Sequence, residues 1–497
     1  MADATNLIFI LSDNHGADAL GCYGHPLVKT PNLDRIASSG ARFENAYCAS
    51  PLCCPARASL ATGRYPHQTG YWDNAIVYDG RVESWMHRLR DWGHTVVSIG
   101  KLHFRSSDDD NGFSDEIEPM HILDGKGGVA MLLRGSGEEP PAVGQWELYV
   151  ERSGIGGTGY QDYDRKITGL AVDWLRTYGR AHEPGWVLFV SYPSPHPPFQ
   201  VPKRLFDLYP PERIALPPDC RPERRPTHPA VEHLRRIMGT REMTDDSVLR
   251  RVAAGYFGLV THLDEQIGEV LAAADHLGLL GTTRVLYTSD HGELFGAHGL
   301  FGKSNMYEGA LRIPLMISGP GIPRGRTVRQ IVSHVDLFPT LVEAMGGVPS
   351  RSGDNEPPGV SLWPAIDGEE ADRPGFAEYH ATGTISGSFM VRRGAMKLVH
   401  HVGMAPQLFD LAADPEETSD LAQDERQAES IARLEAALRE ICSPEEVDAR
   451  AKADQRAKVA FWGGRERVLQ SGALVFTPPP GAEAEVEGLG QAGQGDG

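Results

Sequence analysis

The chain has 497 residues, enough to bury a large core and to divide into more than one domain. Lysine and arginine number 48 against 67 aspartates and glutamates, a net charge of −19. That balance excludes a general nucleic-acid or anionic-membrane surface and leaves any anionic substrate to a local cationic cluster. No apolar run approaches the roughly 20 residues that span a bilayer. The six cysteines, Cys22, Cys48, Cys53, Cys54, Cys220 and Cys442, are too sparse for a disulfide framework and show no C-x-x-C zinc spacing.

In chain order, the N-terminal "MADATNLIFILSDNHG" lacks a basic segment and a cleavage site, so a cytoplasmic location is expected and its apolar run, 6–12, reads as a buried strand. Further buried parallel strands are expected at 94–100, 185–192, 283–289 and 313–318. Between them, Ile167, Leu170, Ala171, Trp174 and Leu175 repeat at helical spacing within 161–180, and 249–274 does the same over a longer span. Strands alternating with helices predict an α/β fold, a large mostly parallel sheet flanked by helices. Two stretches, 134–144 and the Pro- and Arg-rich 210–229, break the rhythm and read as surface excursions that could wall a substrate pocket. After about residue 375, strand-like pieces in 388–402 and a charged helix over 424–441 predict a smaller C-terminal α+β subdomain. The division expected is a large domain over 1–375, the subdomain over 376–471 and a flexible tail over 472–497. The tail's "FTPPPG" has no evident partner in its own domain, so it is expected to dock on a neighbouring subunit of a homo-oligomer.

Ligands of open α/β sheets bind beyond the carboxyl ends of the strands. The residues following the apolar runs are Asp13, Asn14 and His15, then Lys101 and His103, then His196, then Asp290 and His291. One such residue would pass for a helix cap or an Asx-turn. Four strand ends in succession would not, since capping calls for neither Lys101 nor His196. Oxygen ligands from Asp13, Asn14 and Asp290 suit a hard divalent cation such as calcium, magnesium or manganese, and His291 is compatible with manganese in particular.

"CCPAR" followed by "ASLATGR", with the match starting at Cys53, resembles the C-x-P-x-R signature of the type I sulfatases of the alkaline phosphatase superfamily. "ILSDNHG", "GKLHF", "HPPF", "TSDHGELFGAHGLFGKSNMYEGALRIPL", "SHVDLFPTL" and "LFDLAADPEETSDLA" are similar to the same family in the same order, up to about residue 422. The resemblance implies an alkaline-phosphatase-like fold and a Cys53 oxidised to formylglycine by a separate formylglycine-generating enzyme. Cys54 then occupies the variable position as a packing residue. It implies that Asp13, Asn14, Asp290, His291 and the modified Cys53 hold one divalent cation, calcium foremost, with Arg57 holding the modified side chain and its anion. Asn14 and His291 depart from the usual pattern, which has Asp at the first of these positions and often Asn at the second.

By the same resemblance, Lys101 and Lys303 bind the sulfate, His103 orients the nucleophile, His196 protonates or binds the ester oxygen, and Asn74 of "YWDNA" lies near the sulfate, as in the choline-sulfatase-like and phosphonate-monoester-hydrolase branch. His15 and His298 are left as structural residues. The activity implied is hydrolysis of an aryl or alkyl sulfate: one hydroxyl of the hydrated aldehyde attacks sulfur and the other expels sulfate. The alternatives are a phosphonate monoester or phosphate diester hydrolase on the same site, and a non-catalytic binding protein on the same fold.

Overall fold

The computed structural model describes residues 6–136, 146–179, 185–239, 245–348 and 356–487. In chain order its strands are β1 (Asn6–Ser12), β2 (Gly40–Tyr47), β3 (Thr95–Lys101), β4 (Asp115–Met120), β5 (Gly154–Ile155) and β6 (Trp186–Ser191). There follow β7 (Gln200–Val201), β8 (Thr283–Ser289), β9 (Arg312–Ile313), β10 (Leu315–Ser318) and β11 (Arg326–Ser333). The C-terminal part adds β12 (Gly375–Tyr379), β13 (Ser388–Arg393), β14 (Met396–His401), β15 (Gln407–Asp410), β16 (Ala473–Leu474) and β17 (Val486–Glu487).

The main sheet runs β11-β2-β10-β8-β1-β6-β3-β4, with β9 paired to β2. Its five strands β8-β1-β6-β3-β4 are all mutually parallel. Strands β1, β6 and β8 are buried at every position, as continuous apolar runs must be when helices cover both faces. Alternate side chains of β1 enter two different cores. Ile8 and Ile10 meet Ile167, Ala171 and Trp174 of the helix Gly159–Trp174 and Leu263, Ile267 and Val270 of the helix Asp246–His276. Leu7, Phe9 and Leu11 belong to the core that contains Ala58, Leu60 and Ala61 of the helix Cys53–Thr62. Each fully buried aliphatic side chain contributes about 1.5–3 kcal/mol.

The sheet is mixed rather than parallel throughout. The run at 313–318, expected as one more parallel strand, forms β10 antiparallel to both β8 and β2. Leu315 pairs with Thr288 near the carboxyl end of β8, and no long crossover helix separates the two strands. A chain that stays at that edge can only return in the opposite direction.

The C-terminal sheet, β12-β13-β14-β15, is antiparallel and packs Phe389, Val391, Leu398 and Leu408 against Leu434 and Leu438 of the helix Ala428–Ile441. A second helix, Pro444–Phe461, follows where none was anticipated.

The tail is corrected in its described part. β16 and β17 pair, Val475 N–H donates to Glu485 O at 3.1 Å, and the Phe476 ring lies 5.4 Å from that of Tyr160 in its own chain. Residues 488–497 lie outside the described residues, as do 137–144 of the first irregular stretch. The second stretch, 210–229, borders a different hollow, where Arg213 and Ile214 meet His25 and Phe257, and does not wall the cavity over the strand ends. Among the described residues no helix is long and apolar enough to cross a membrane.

Candidate active site

The register of the central strands assembles the site. Ser12 pairs with Ser289, so the next residues, Asp13 and Asp290, emerge side by side from β1 and β8. In the neighbouring pair Gly100 faces Ser191, which brings Lys101 to the same edge. Gly100 has a φ of 104°, and a Cβ there would stand 2.2 Å from Ser191 O, so only glycine fits. Cys53 is the first residue of the helix Cys53–Thr62 and is buried.

Asp13, Cys53, Asp290 and His291 bring one ligand atom each to within 4.8 Å of one another. Cys53 Sγ lies 3.2 Å from His291 Nε2 and 3.8 Å from Asp13 Oδ1. His291 Nδ1–H donates to Gly292 O at 3.1 Å, which leaves the Nε2 lone pair on the cluster side. Asn14 Nδ2 donates to Glu293 Oε2 at 2.8 Å, while its Oδ1 is buried without a hydrogen-bond partner. Two carboxylates, an imidazole lone pair and an orphaned carboxamide oxygen form a donor set that fits a hard divalent cation.

Arg57 reaches the carboxylates that flank Cys53. Its Nε donates to Asp290 at 2.8 Å, Nη2 to Asp13 at 3.3 Å, and Nη1 to Lys101 O at 2.7 Å and Ser191 Oγ at 3.0 Å. One turn of helix past Cys53, its fork reaches both carboxylates and locks them in place. Lys101 Nζ lies 2.7 Å from Asp13 Oδ2.

The charges shift one another. Burial raises the Asp13 carboxyl, but Lys101 leads a set of cations that outweighs it and holds Asp13 well below the usual carboxylate range. Burial, then the Asp13 charge, pushes Asp290 up to about 7. The same two causes push the Cys53 thiol up to about 12, so it is protonated at neutral pH and a weak nucleophile. Burial works against the Lys303 cation, yet Cys53, Tyr149 and Asp13 together raise it above the ordinary lysine value. Burial also holds His103, His196 and His291 well below ordinary histidines, hence neutral.

A cavity opens above Cys53. Lys101, His103, His196, Lys303 and Asn74 all line it. Asn74 Oδ1 accepts from Cys54 N–H at 3.1 Å, capping the first turn of the helix. His196 Nδ1–H donates to Pro197 O at 2.8 Å, so the neutral ring offers an acceptor at Nε2. Both nitrogens of buried His103 lack hydrogen-bond partners. Asn14, His103 and Ser304, none of them glycine, have φ of 69°, 56° and 79°, backbone strain of the sort that clusters at functional sites.

All eleven candidate residues therefore converge, in a buried layer of Asp13, Asn14, Arg57, Asp290 and His291 beneath a cavity-lining layer of the other six. Sequence reading missed Glu293, which orients Asn14 and whose signal was its place in "SDHGE". It also missed Tyr160, whose ring sits 5.8 Å from His196 and 5.9 Å from Lys101 Nζ. His15 bonds Tyr287 Oη and Ala19 O, and His298 pairs with Asp219 and stacks on Tyr307, so both are tied into structure.

A mixed sheet covered by helices, with carboxylates and a helix-terminal cysteine at its strand ends, is the architecture of the alkaline-phosphatase-like hydrolases. Within that class the chain belongs to the sulfatase family: the Sulfatase family model matches residues 5–348. A model for the C-terminal part of N-sulphoglucosamine sulphohydrolase matches 296–443. Choline-sulfatase of Rhizobium meliloti (strain 1021) is 32% identical over 442 residues, 85% of this chain and 83% of that protein. Arylsulfatase K of Bos taurus is 28% identical over 446 residues, 84% of this chain and 78% of that protein. In fold, the phosphonate monoester hydrolase of Agrobacterium radiobacter aligns with a TM-score of 0.69 at 24% identity, covering 90% of this chain and 96% of that one.

Proposed function

We propose that the protein hydrolyses sulfate monoesters to an alcohol and inorganic sulfate after Cys53 has been converted to formylglycine by a separate enzyme. The observation that carries this reading is Cys53 itself. Its thiol stands among Asp13, Asp290 and His291 but stays protonated near neutral pH, so unmodified it would be a poor nucleophile. The hydrated aldehyde supplies one hydroxyl to attack sulfur and a second to release the sulfate.

Asp13, Asn14, Asp290 and His291 would hold the divalent cation, calcium foremost, and the cation would supply charge neutralisation and a lowered proton affinity at the nucleophilic oxygen. Arg57 keeps the two carboxylates apart and oriented. Lys101 and Lys303 flank the cavity floor and offset the charge of the transferring sulfuryl group as point cations. Asn74 fixes the first turn carrying Cys53, and His103 and His196 meet the ester side. To act as the leaving-group acid, His196 must gain a proton at Nε2, which burial and the lysines oppose; a bound sulfate between those lysines would ease that cost.

The resemblance in fold to a phosphonate monoester hydrolase makes hydrolysis of phosphonate monoesters the second reading. The test is a side-by-side assay of 4-nitrophenyl sulfate, a phosphate diester and a phenylphosphonate monoester, on protein whose Cys53 conversion has been measured by mass spectrometry. A kcat/KM highest on the sulfate supports the first reading. A higher value on the phosphonate overturns it in favour of the second.

A further inference from the structure

The outer part of the cavity is built from residues that neither the motif nor the metal cluster requires. Leu474, Val475 and Phe476, from the hairpin β16–β17, stand with Ile122, Met131 and Met238 around the space above Cys53. Among the described residues that line the cavity none carries a carboxylate, and the formal charges are the two lysines, Lys101 and Lys303. The hairpin is fastened to its own chain: Tyr160 Oη donates to Thr477 O at 2.7 Å, Phe476 packs edge-on to Tyr160, and Arg152 pairs with Glu485. Because Tyr160 also lies beside His196 and Lys101, the wall begins about one ring's width from the groups that flank the ester.

Resting on the sulfate-ester reading above, we propose that Leu474–Phe476 form a specificity wall and that the leaving group they accept is an uncharged apolar one, not a quaternary ammonium. A permanent cation entering this space gives up hydration and, among the described lining residues, meets only the like charges of Lys101 and Lys303. The face of Tyr160 already carries the Lys101 ammonium at 5.9 Å, while Tyr149, Tyr379 and Phe476 add ring surface on which an apolar group packs. Aliphatic side chains and two methionines suit an apolar group instead, the thioethers adjusting to its shape.

The test uses an isosteric pair, choline sulfate and 3,3-dimethylbutyl sulfate, which differ in charge but hardly in shape. On full-length enzyme with measured Cys53 conversion, kcat/KM should be at least about tenfold higher for the neutral ester. Phe476→Ala should raise KM for that ester about tenfold with kcat nearly unchanged, leave choline sulfate little affected, and be largely restored by Phe476→Leu, the pattern of lost uniform binding. Preference for choline sulfate, or an equal loss on both esters in Phe476→Ala, overturns the wall while leaving the sulfatase reading intact. If the converted enzyme turns over neither ester nor 4-nitrophenyl sulfate but does cleave phosphonates, the sulfatase reading has failed. The wall is then judged by the same variants on phenyl and choline esters of one phosphonate, where equal KM changes overturn it.

Discussion

Two adjacent cysteines at the start of one helix have different surroundings. Cys53 Sγ lies in the carboxylate cluster, whereas Cys54 packs with Val77 and Ile122 and gives only its backbone N–H, to Asn74. Cys53→Ala is expected to lower kcat/KM by at least about 10³-fold. Cys54→Ala, which removes a small buried group, should retain most activity and cost about 1 kcal/mol in stability. Equal loss of activity in the two variants, measured on samples of equal folded content, would count against the assignment. Arg57 is held by four acceptors that a lysine cannot reach together. Arg57→Lys is therefore expected to reduce turnover and lower the thermal midpoint; an unchanged midpoint and rate would show that the fork geometry is dispensable.

At the scale of elements, the outcome depends on strand ends. His196 follows β6 in a loop whose prolines restrict the backbone, and its ring borders the cavity. A proton donor matters most for the worst leaving group, and such donors contribute about 10²- to 10⁴-fold. His196→Ala should therefore cost far more on an alkyl sulfate than on 4-nitrophenyl sulfate. Parallel slopes against leaving-group pKa would reduce His196 to positioning the ester. These strand ends were legible because β1, β6 and β8 are unbroken apolar runs with a chemistry-bearing residue directly after β1 and β8 and within five positions of β6. Strand β2, "GARFENAY", was not, because its polar positions hide the period, and neither was the reversal of β10, which depends on which neighbour it meets. Nor could the wall at 473–477 be read, since its partner Tyr160 lies more than 300 positions away in the chain.

The C-terminal sheet is tied to the main domain by Glu378 of β12, fully buried between His67 Nδ1 and His380 Nε2, each at 2.8 Å. Burial raises its carboxyl, but His67 and His380 outweigh it and bring Glu378 down to about 2. A carboxyl whose folded pKa lies below its usual value of about 4.5 stabilises the fold above that pH and loses this stabilisation as pH falls toward 2, by about 3 kcal/mol in all. The gap in thermal midpoint between the parent and Glu378→Gln should accordingly be widest above pH 4.5 and narrow toward pH 2. A gap independent of pH would mean that the substitution acts through packing.

For the whole molecule, the net charge of −19 repels anions, yet the cavity presents Lys101 and Lys303, and beneath them Arg57 offsets Asp13 and Asp290. Lys101, Lys303 and Arg57 stand against the carboxyls of Asp13, Asp290 and Glu293, so a bound dication would make the site locally positive and draw an anionic ester to it. The donor set spans residues following β1, residues following β8, and the first turn of the helix Cys53–Thr62, which sequence separates by up to 278 positions. A cation bound there links segments that are far apart in the unfolded chain and binds the folded state alone. At a concentration about 100 times Kd it should add about 2.7 kcal/mol to stability. Removing divalent ions with a chelator is expected to lower the thermal midpoint by a few degrees, and adding back calcium, magnesium or manganese in turn should restore it, calcium most fully. Asp290→Asn removes one carboxylate from the donor set, so its midpoint should respond to the same ions only at much higher concentrations, and its metal content by elemental analysis should fall in step with its activity. If the variant kept full metal content and the parent's ion response, Asp290 would not be a ligand, and the cluster would have to hold its charge through Arg57 and Lys101 alone.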